Sequence, residues 1–133
     1  MKRLLLGMLT VMMLVISGCG EVVVEPVIYP PSITLYPFTK DTVTEYIYGD
    51  IDFYAPDSDI YTMTVSVFDS GGYPAKPSIT TSVNQPGVTQ GTIPFRIDYF
   101  PLPSAAGAYT FSIYVTDFNG NTSNLAVGTF WVP

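Results

Sequence analysis

Gly107-Ala108-Tyr109-Thr110-Phe111-Ser112-Ile113-Tyr114-Val115-Thr116-Asp117 alternates core-forming and polar-faced residues along its whole length. In an extended strand a period of two sends successive side chains to opposite faces. Tyr109, Phe111, Ile113 and Val115 are therefore predicted to face a core, and Thr110, Ser112, Tyr114 and Thr116 to face outward. Asn119-Gly120-Asn121 follows, a turn former that reverses the chain. A strand with one buried face demands a second apolar face to cover it.

The rest of the chain supplies such faces. Ile93, Phe95, Ile97 and Tyr99 alternate with Thr92, Pro94, Arg96 and Asp98. Pro94 has no N–H to give a ladder, so its strand is expected at a sheet edge or with a bulge. Met63, Val65 and Val67, and Ile47, Ile51 and Phe53, add two more inward rows. The pattern predicts strands over residues 33–38, 44–54, 61–68, 78–83, 91–99, 108–116 and 124–132. Turn formers separate them: Ala55-Pro56-Asp57-Ser58-Asp59, Asp69-Ser70-Gly71-Gly72 and Asn84-Gln85-Pro86-Gly87. No helical period runs longer than a turn, which predicts an all-β sandwich.

Residues 107–117 with the Asn119-Gly120-Asn121 turn resemble the penultimate strand and last turn of bacterial immunoglobulin-like and fibronectin type III-like domains. Gly49-Asp50-Ile51-Asp52-Phe53-Tyr54-Ala55-Pro56-Asp57-Ser58-Asp59-Ile60 resembles their second strand and the turn after it. The resemblance covers residues 32–133 and implies an immunoglobulin-like antiparallel β-sandwich of about seven strands. It also implies that Tyr109 takes the tyrosine-corner position, its hydroxyl bonded back to backbone. The antibody hallmarks are absent: Phe111 stands at the core-cysteine position, Met63, Val65 and Val67 replace a buried tryptophan, and Trp131 lies in the last strand. These motifs imply a fold and no activity.

Ahead of the domain, Lys2 and Arg3 precede an apolar stretch over residues 4–16 that is too short to span a bilayer and fits a secretory signal. Ile16-Ser17-Gly18-Cys19 follows and resembles the lipobox of bacterial lipoproteins. That resemblance implies cleavage before Cys19, a diacylglyceryl thioether on its sulfur and a second acyl group such as palmitate on its amino group. More than one chain gives lasting membrane attachment. An incidental thiol in an ordinary signal or membrane anchor is the alternative. Gly20, where an aspartate would favour inner-membrane retention, implies outer-membrane or cell-surface sorting in a Gram-negative source. The expected organisation is a signal over residues 1–18, a tether over 19–31 rich in proline, and a β-domain over 32–133. Val22-Val23-Val24 pairing as a first edge strand is the other reading of the tether. Cys19 is the chain's single cysteine, so stability must come from packing.

Eleven acidic residues oppose five basic ones, a formal charge of −6 that becomes two units more negative once Lys2 and Arg3 depart with the signal. Lys40, Lys76 and Arg96 make no surface able to displace counterions from phosphates, which argues against nucleic acid. With no histidine and no further thiol, the usual bases, nucleophiles and soft-metal ligands are missing. The expectation is a protein that is not an enzyme and needs no cofactor.

Two constellations remain. In the implied topology the loops after the second and sixth expected strands share one end, so Asp57 and Asp59 could approach Asp117, Asn119 and Asn121. This oxygen-only set suits a weak calcium site; the same residues also form Asx-turns at solvated loop tips. By alternation, Tyr46, Tyr48 and Tyr54 face outward on one sheet and Phe68, Tyr114 and Phe130 on the other. Exposed aromatics stack on sugars or anchor protein contacts, and they also pair across strands. The expected function is a lipid-anchored extracytoplasmic binding or structural module that mediates protein interaction at the cell envelope. A carbohydrate-binding module and a calcium-stabilised adhesion or envelope-assembly domain are the alternatives. A sugar site predicts a localised aromatic strip flanked by amides, whereas a protein interface predicts a broad apolar patch with a polar rim.

Overall fold

The computed structural model describes residues 25, 27–56, 59–100, 102 and 106–133, and at Asp59 and Asn84 the backbone alone. Cys19 and its lipobox, residues 22–24 and Asp57 lie outside the described residues. Eight strands form: β1 (Ser32–Leu35), β2 (Thr39–Asp41), β3 (Tyr46–Tyr54), β4 (Asp59–Phe68), β5 (Pro74–Pro86), β6 (Gln90–Asp98), β7 (Gly107–Asp117) and β8 (Ala126–Val132). They make two antiparallel sheets packed as an immunoglobulin-like sandwich. In the first, β3 is central: β6 pairs along its whole length, while β1 and β2 pair with successive halves of its other edge. β1 and β2 thus act as one edge strand interrupted over residues 36–38. The second sheet has the order β5-β4-β7-β8.

Each of the seven expected regions contains a strand, and β2 is the addition. Thr39-Lys40-Asp41 is polar and too short to carry a period, so only its pairing with residues 46–48 reveals it. Residues 42–45 form the turn of the β2–β3 hairpin, so Thr44 and Glu45, expected to begin the next strand, lie in the turn instead. Asp41 Oδ1 caps this turn, accepting from the backbone N–H of Val43 at 2.8 Å and of Thr44 at 3.2 Å. Glu45 closes it in the left-handed region at φ 60°. Pro94 sits at an edge and not at a bulge, because β6 pairs with β3 alone and the register runs unbroken through Asp50 and Pro94. β5 is likewise an edge strand, and it carries Pro74, Pro77 and Pro86 where no outer donor is required.

The inward rows read from the sequence are all buried: Ile47, Ile51 and Phe53 on β3, Met63, Val65 and Val67 on β4, and Tyr109, Phe111, Ile113 and Val115 on β7. Both sheets use one packing device. Gly49 pairs with Phe95 across β3 and β6, and Gly128 pairs with Phe111 across β7 and β8. In each pair the ring lies where a glycine Cβ would be. Phe111 then meets Phe38 edge-on at 5.0 Å and Phe95 at 5.6 Å between ring centroids, so three aromatics knit the two sheets.

Phe130, expected on the surface, is only 6 % exposed and faces the core. Its ring stacks on Tyr109 at 5.7 Å. Trp131 takes the outward position instead, 61 % exposed. β8 carries apolar residues on both faces, and the inward row Ala126, Gly128, Phe130 is disguised by the glycine that Phe111 requires.

Candidate ligand-binding face

Turning Ile47, Ile51 and Phe53 inward leaves Tyr46, Tyr48, Asp50, Asp52 and Tyr54 on the outer side of β3. Because β3 is the central strand, this row runs down the middle of the first sheet. Register sets Thr34 and Thr92 on either side of Asp52, and Ser32 and Gln90 on either side of Tyr54. These residues line a shallow depression of about 480 Å³.

Asp52 is fixed at its centre. Oδ1 accepts from the Thr92 hydroxyl at 2.6 Å, and Oδ2 accepts from the Tyr36 hydroxyl at 2.6 Å. Bonds donated to the ionised form favour it, so Thr92 first and Tyr36 second hold the Asp52 carboxyl below the usual carboxylate range. The same bond, with the nearby charge, pushes the Tyr36 phenol up. Tyr36 reaches this position from the interruption after β1, where its backbone N–H donates to the Asp50 carbonyl at 3.1 Å.

At the other end of the row, the Arg96 guanidinium stands 4.6 Å from the centre of the Tyr46 ring. Tyr46 and Tyr48 rings are 5.9 Å apart. Tyr48, Tyr36 and Tyr54 remain open to solvent at 40 %, 48 % and 54 %. The face therefore offers aromatic rings for stacking around a preset carboxylate, with hydroxyls and the Gln90 amide beside it.

Of the expected aromatics, Tyr46, Tyr48 and Tyr54 do share this face. Tyr114 and Phe68 are half-buried on the other sheet, opposite Thr64 and Thr110 respectively, and Phe130 is in the core, so the set does not form one surface. Tyr36 and Thr92 were not singled out by sequence as site residues. The Tyr36 and Thr92 partners of Asp52 lie 16 and 40 residues from it, joined only by strand register.

At one end of the sandwich Ile60, near the start of β4, pairs with Asp117 at the end of β7. Asp117 is buried and both its oxygens are engaged by one residue. Oδ1 accepts from the Asn121 backbone N–H at 2.7 Å and Oδ2 from the Asn121 side-chain amide at 2.8 Å. The Asp117 N–H in turn donates to the Asn121 carbonyl at 3.0 Å. The carboxylate thus clamps a tight turn whose backbone also closes through the Gly120 N–H, which donates to the Asp117 carbonyl at 3.1 Å. Asp57 and the Asp59 side chain lie outside the described residues, and Asn119 is engaged in an interaction of its own. Among the described residues no three acidic, histidine or cysteine side chains come together as a metal cluster.

No family model and no curated protein sequence matches the chain. Among solved structures it is similar to OgpA from Akkermansia muciniphila. Catalytically inactive OgpA in complex with an O-glycopeptide, glycodrosocin, aligns with a TM-score of 0.57 at 15 % identity over 83 % of this chain and 32 % of that one. A wild-type OgpA crystal structure gives a TM-score of 0.58 at 14 % identity over 78 % and 30 % of the two chains. The chain spans about a third of the OgpA chains, and the likeness is one of fold.

Proposed function

We propose that this chain is a lipid-anchored, extracytoplasmic binding module without catalytic activity, attached through acyl groups on Cys19. It presents the outer face of its first sheet to a ligand. The observation that supports this reading is the Asp52 carboxylate, preset by Tyr36 and Thr92 among exposed tyrosine rings on a central strand. An ordered polar group surrounded by open aromatic surface is the composition of a recognition site.

Two measurements test it. Cys19→Ser is expected to abolish fatty-acid labelling and to move the chain from the membrane to soluble fractions, or to stall its processing. Unchanged labelling and membrane retention would overturn the anchor. A photo-cross-linking residue at Tyr54 is expected to give adducts in cells that the same residue at Ser82, on the second sheet, does not. Equal yields at the two positions, or none at either, would remove the binding face.

A further inference from the structure

We infer that the ligand of this face is a neutral polysaccharide chain lying along β3, a refinement that rests on the binding-module reading above. Protein interfaces also use tyrosine and arginine anchors, but they set them in a central patch depleted of carboxylates, which a partner can dehydrate. The outer row of β3 has no such centre: Asp50 and Asp52 lie between the rings of Tyr46, Tyr48 and Tyr54, and the row has no aliphatic side chain. Their cross-strand partners on β6 are Asp98, Arg96, Pro94, Thr92 and Gln90, and on β1 Thr34 and Ser32, again with no leucine, isoleucine, valine or methionine. The apolar surface is therefore delivered mostly as flat tyrosine rings in a strip, with hydrogen-bonding groups beside each ring.

That distribution matches the two surfaces of a sugar. The C–H face of a pyranose stacks on an aromatic ring, and its hydroxyls exchange hydrogen bonds with carboxylates, amides and hydroxyls. Tyr48 and Tyr54 are six residues apart on one strand, about 20 Å at the usual rise, so the two rings suit separated units of one extended chain. Between them Asp52 keeps acceptor capacity beyond the two bonds it receives, and Gln90 and Thr34 supply donors and acceptors at the flanks. Asp50 and Asp52 in the middle of the row repel an anionic polymer, and Arg96 is already placed over the Tyr46 ring. The charge pattern disfavours an anionic chain, and an uncharged one meets no repulsion there.

The full-length protein in detergent micelles is run in native gels containing a neutral β-glucan, a mannan, an α-glucan or anionic polygalacturonate. At least one neutral polymer is expected to retard it, and polygalacturonate is not. Tyr54→Ala and Tyr48→Ala are each expected to weaken binding about tenfold, the scale of one lost aromatic contact. Asp52→Asn weakens it as well, whereas Trp131→Ala, on the other sheet, leaves it unchanged. All four positions are at the surface, and matching denaturation curves show that each variant is folded. Retardation by polygalacturonate alone, or by none of the polymers, overturns the inference. So does retardation that survives both tyrosine variants. Cross-links from position 54 to protein, without retardation by any polymer, would leave the binding module standing and reject the glycan.

Discussion

The side-chain amide of Asn124 closes the outer edge of β1 by imitating a strand. The Ile33 N–H donates to Asn124 Oδ1 at 2.8 Å, and Asn124 Nδ2 donates to the Ile33 carbonyl at 2.9 Å. One residue from the loop before β8 thereby ties the first sheet to the second, 91 residues along the chain. It also holds β1 where Thr34, next in sequence, borders the depression over Asp52.

Asn124→Ala leaves a part-buried donor and acceptor unpaired and is expected to cost about 1–3 kcal/mol. Chemical denaturation measures the loss, and hydrogen exchange should quicken at the Ile33 amide more than at the central-strand Ile51 amide. An unchanged denaturation midpoint would show that the edge closes without this amide.

Phe111→Ala is expected to cost about 3–5 kcal/mol through the cavity it opens, and Gly128→Ala about 1–3 kcal/mol through overpacking against the same ring. In the double variant the added methyl enters space the ring has vacated. Its loss should therefore fall well short of the sum of the two, a coupling that a double-mutant cycle reads directly.

Asp52 should titrate below the ordinary aspartate value when followed by NMR at its carboxyl carbon, and Thr92→Val and Tyr36→Phe should each raise that midpoint. A carboxyl depressed in the folded state contributes stability above its unfolded pKa and loses it as pH falls through the folded value. Removing both donors should accordingly weaken the domain near neutrality and leave it unaffected once Asp52 is protonated. A midpoint insensitive to both variants would place the shift elsewhere.

Asp117→Ala should destabilise the domain by roughly 1.5–3 kcal/mol, since a buried carboxylate's charge-assisted bonds to Asn121 are lost. If the turn is the whole role of this group, millimolar calcium leaves the Tm of the unsubstituted protein unchanged. A calcium-dependent rise that Asp117→Asn abolishes would instead assign it to a metal site.

The rows Tyr109 to Val115 and Ile93 to Ile97 were legible because strict alternation has one physical meaning when a single face is buried. The direction of the β3 tyrosines followed from the same parity. Partnerships across strands were not legible, since the contacts of Asp52 with Tyr36 and Thr92 depend on registers that no local pattern encodes. β8 failed for a related reason. The space at Gly128 belongs to Phe111 on the neighbouring strand, so the strand's own sequence suggested the wrong face for Phe130.

Pro94 on β6 and Pro74, Pro77 and Pro86 on β5 interrupt two of the sandwich's open margins with residues that carry no N–H. An incoming strand from another copy could not zip along either margin without skipping a bond at each of these positions. Copies that meet along these two margins are therefore kept from fusing there into a continuous ribbon.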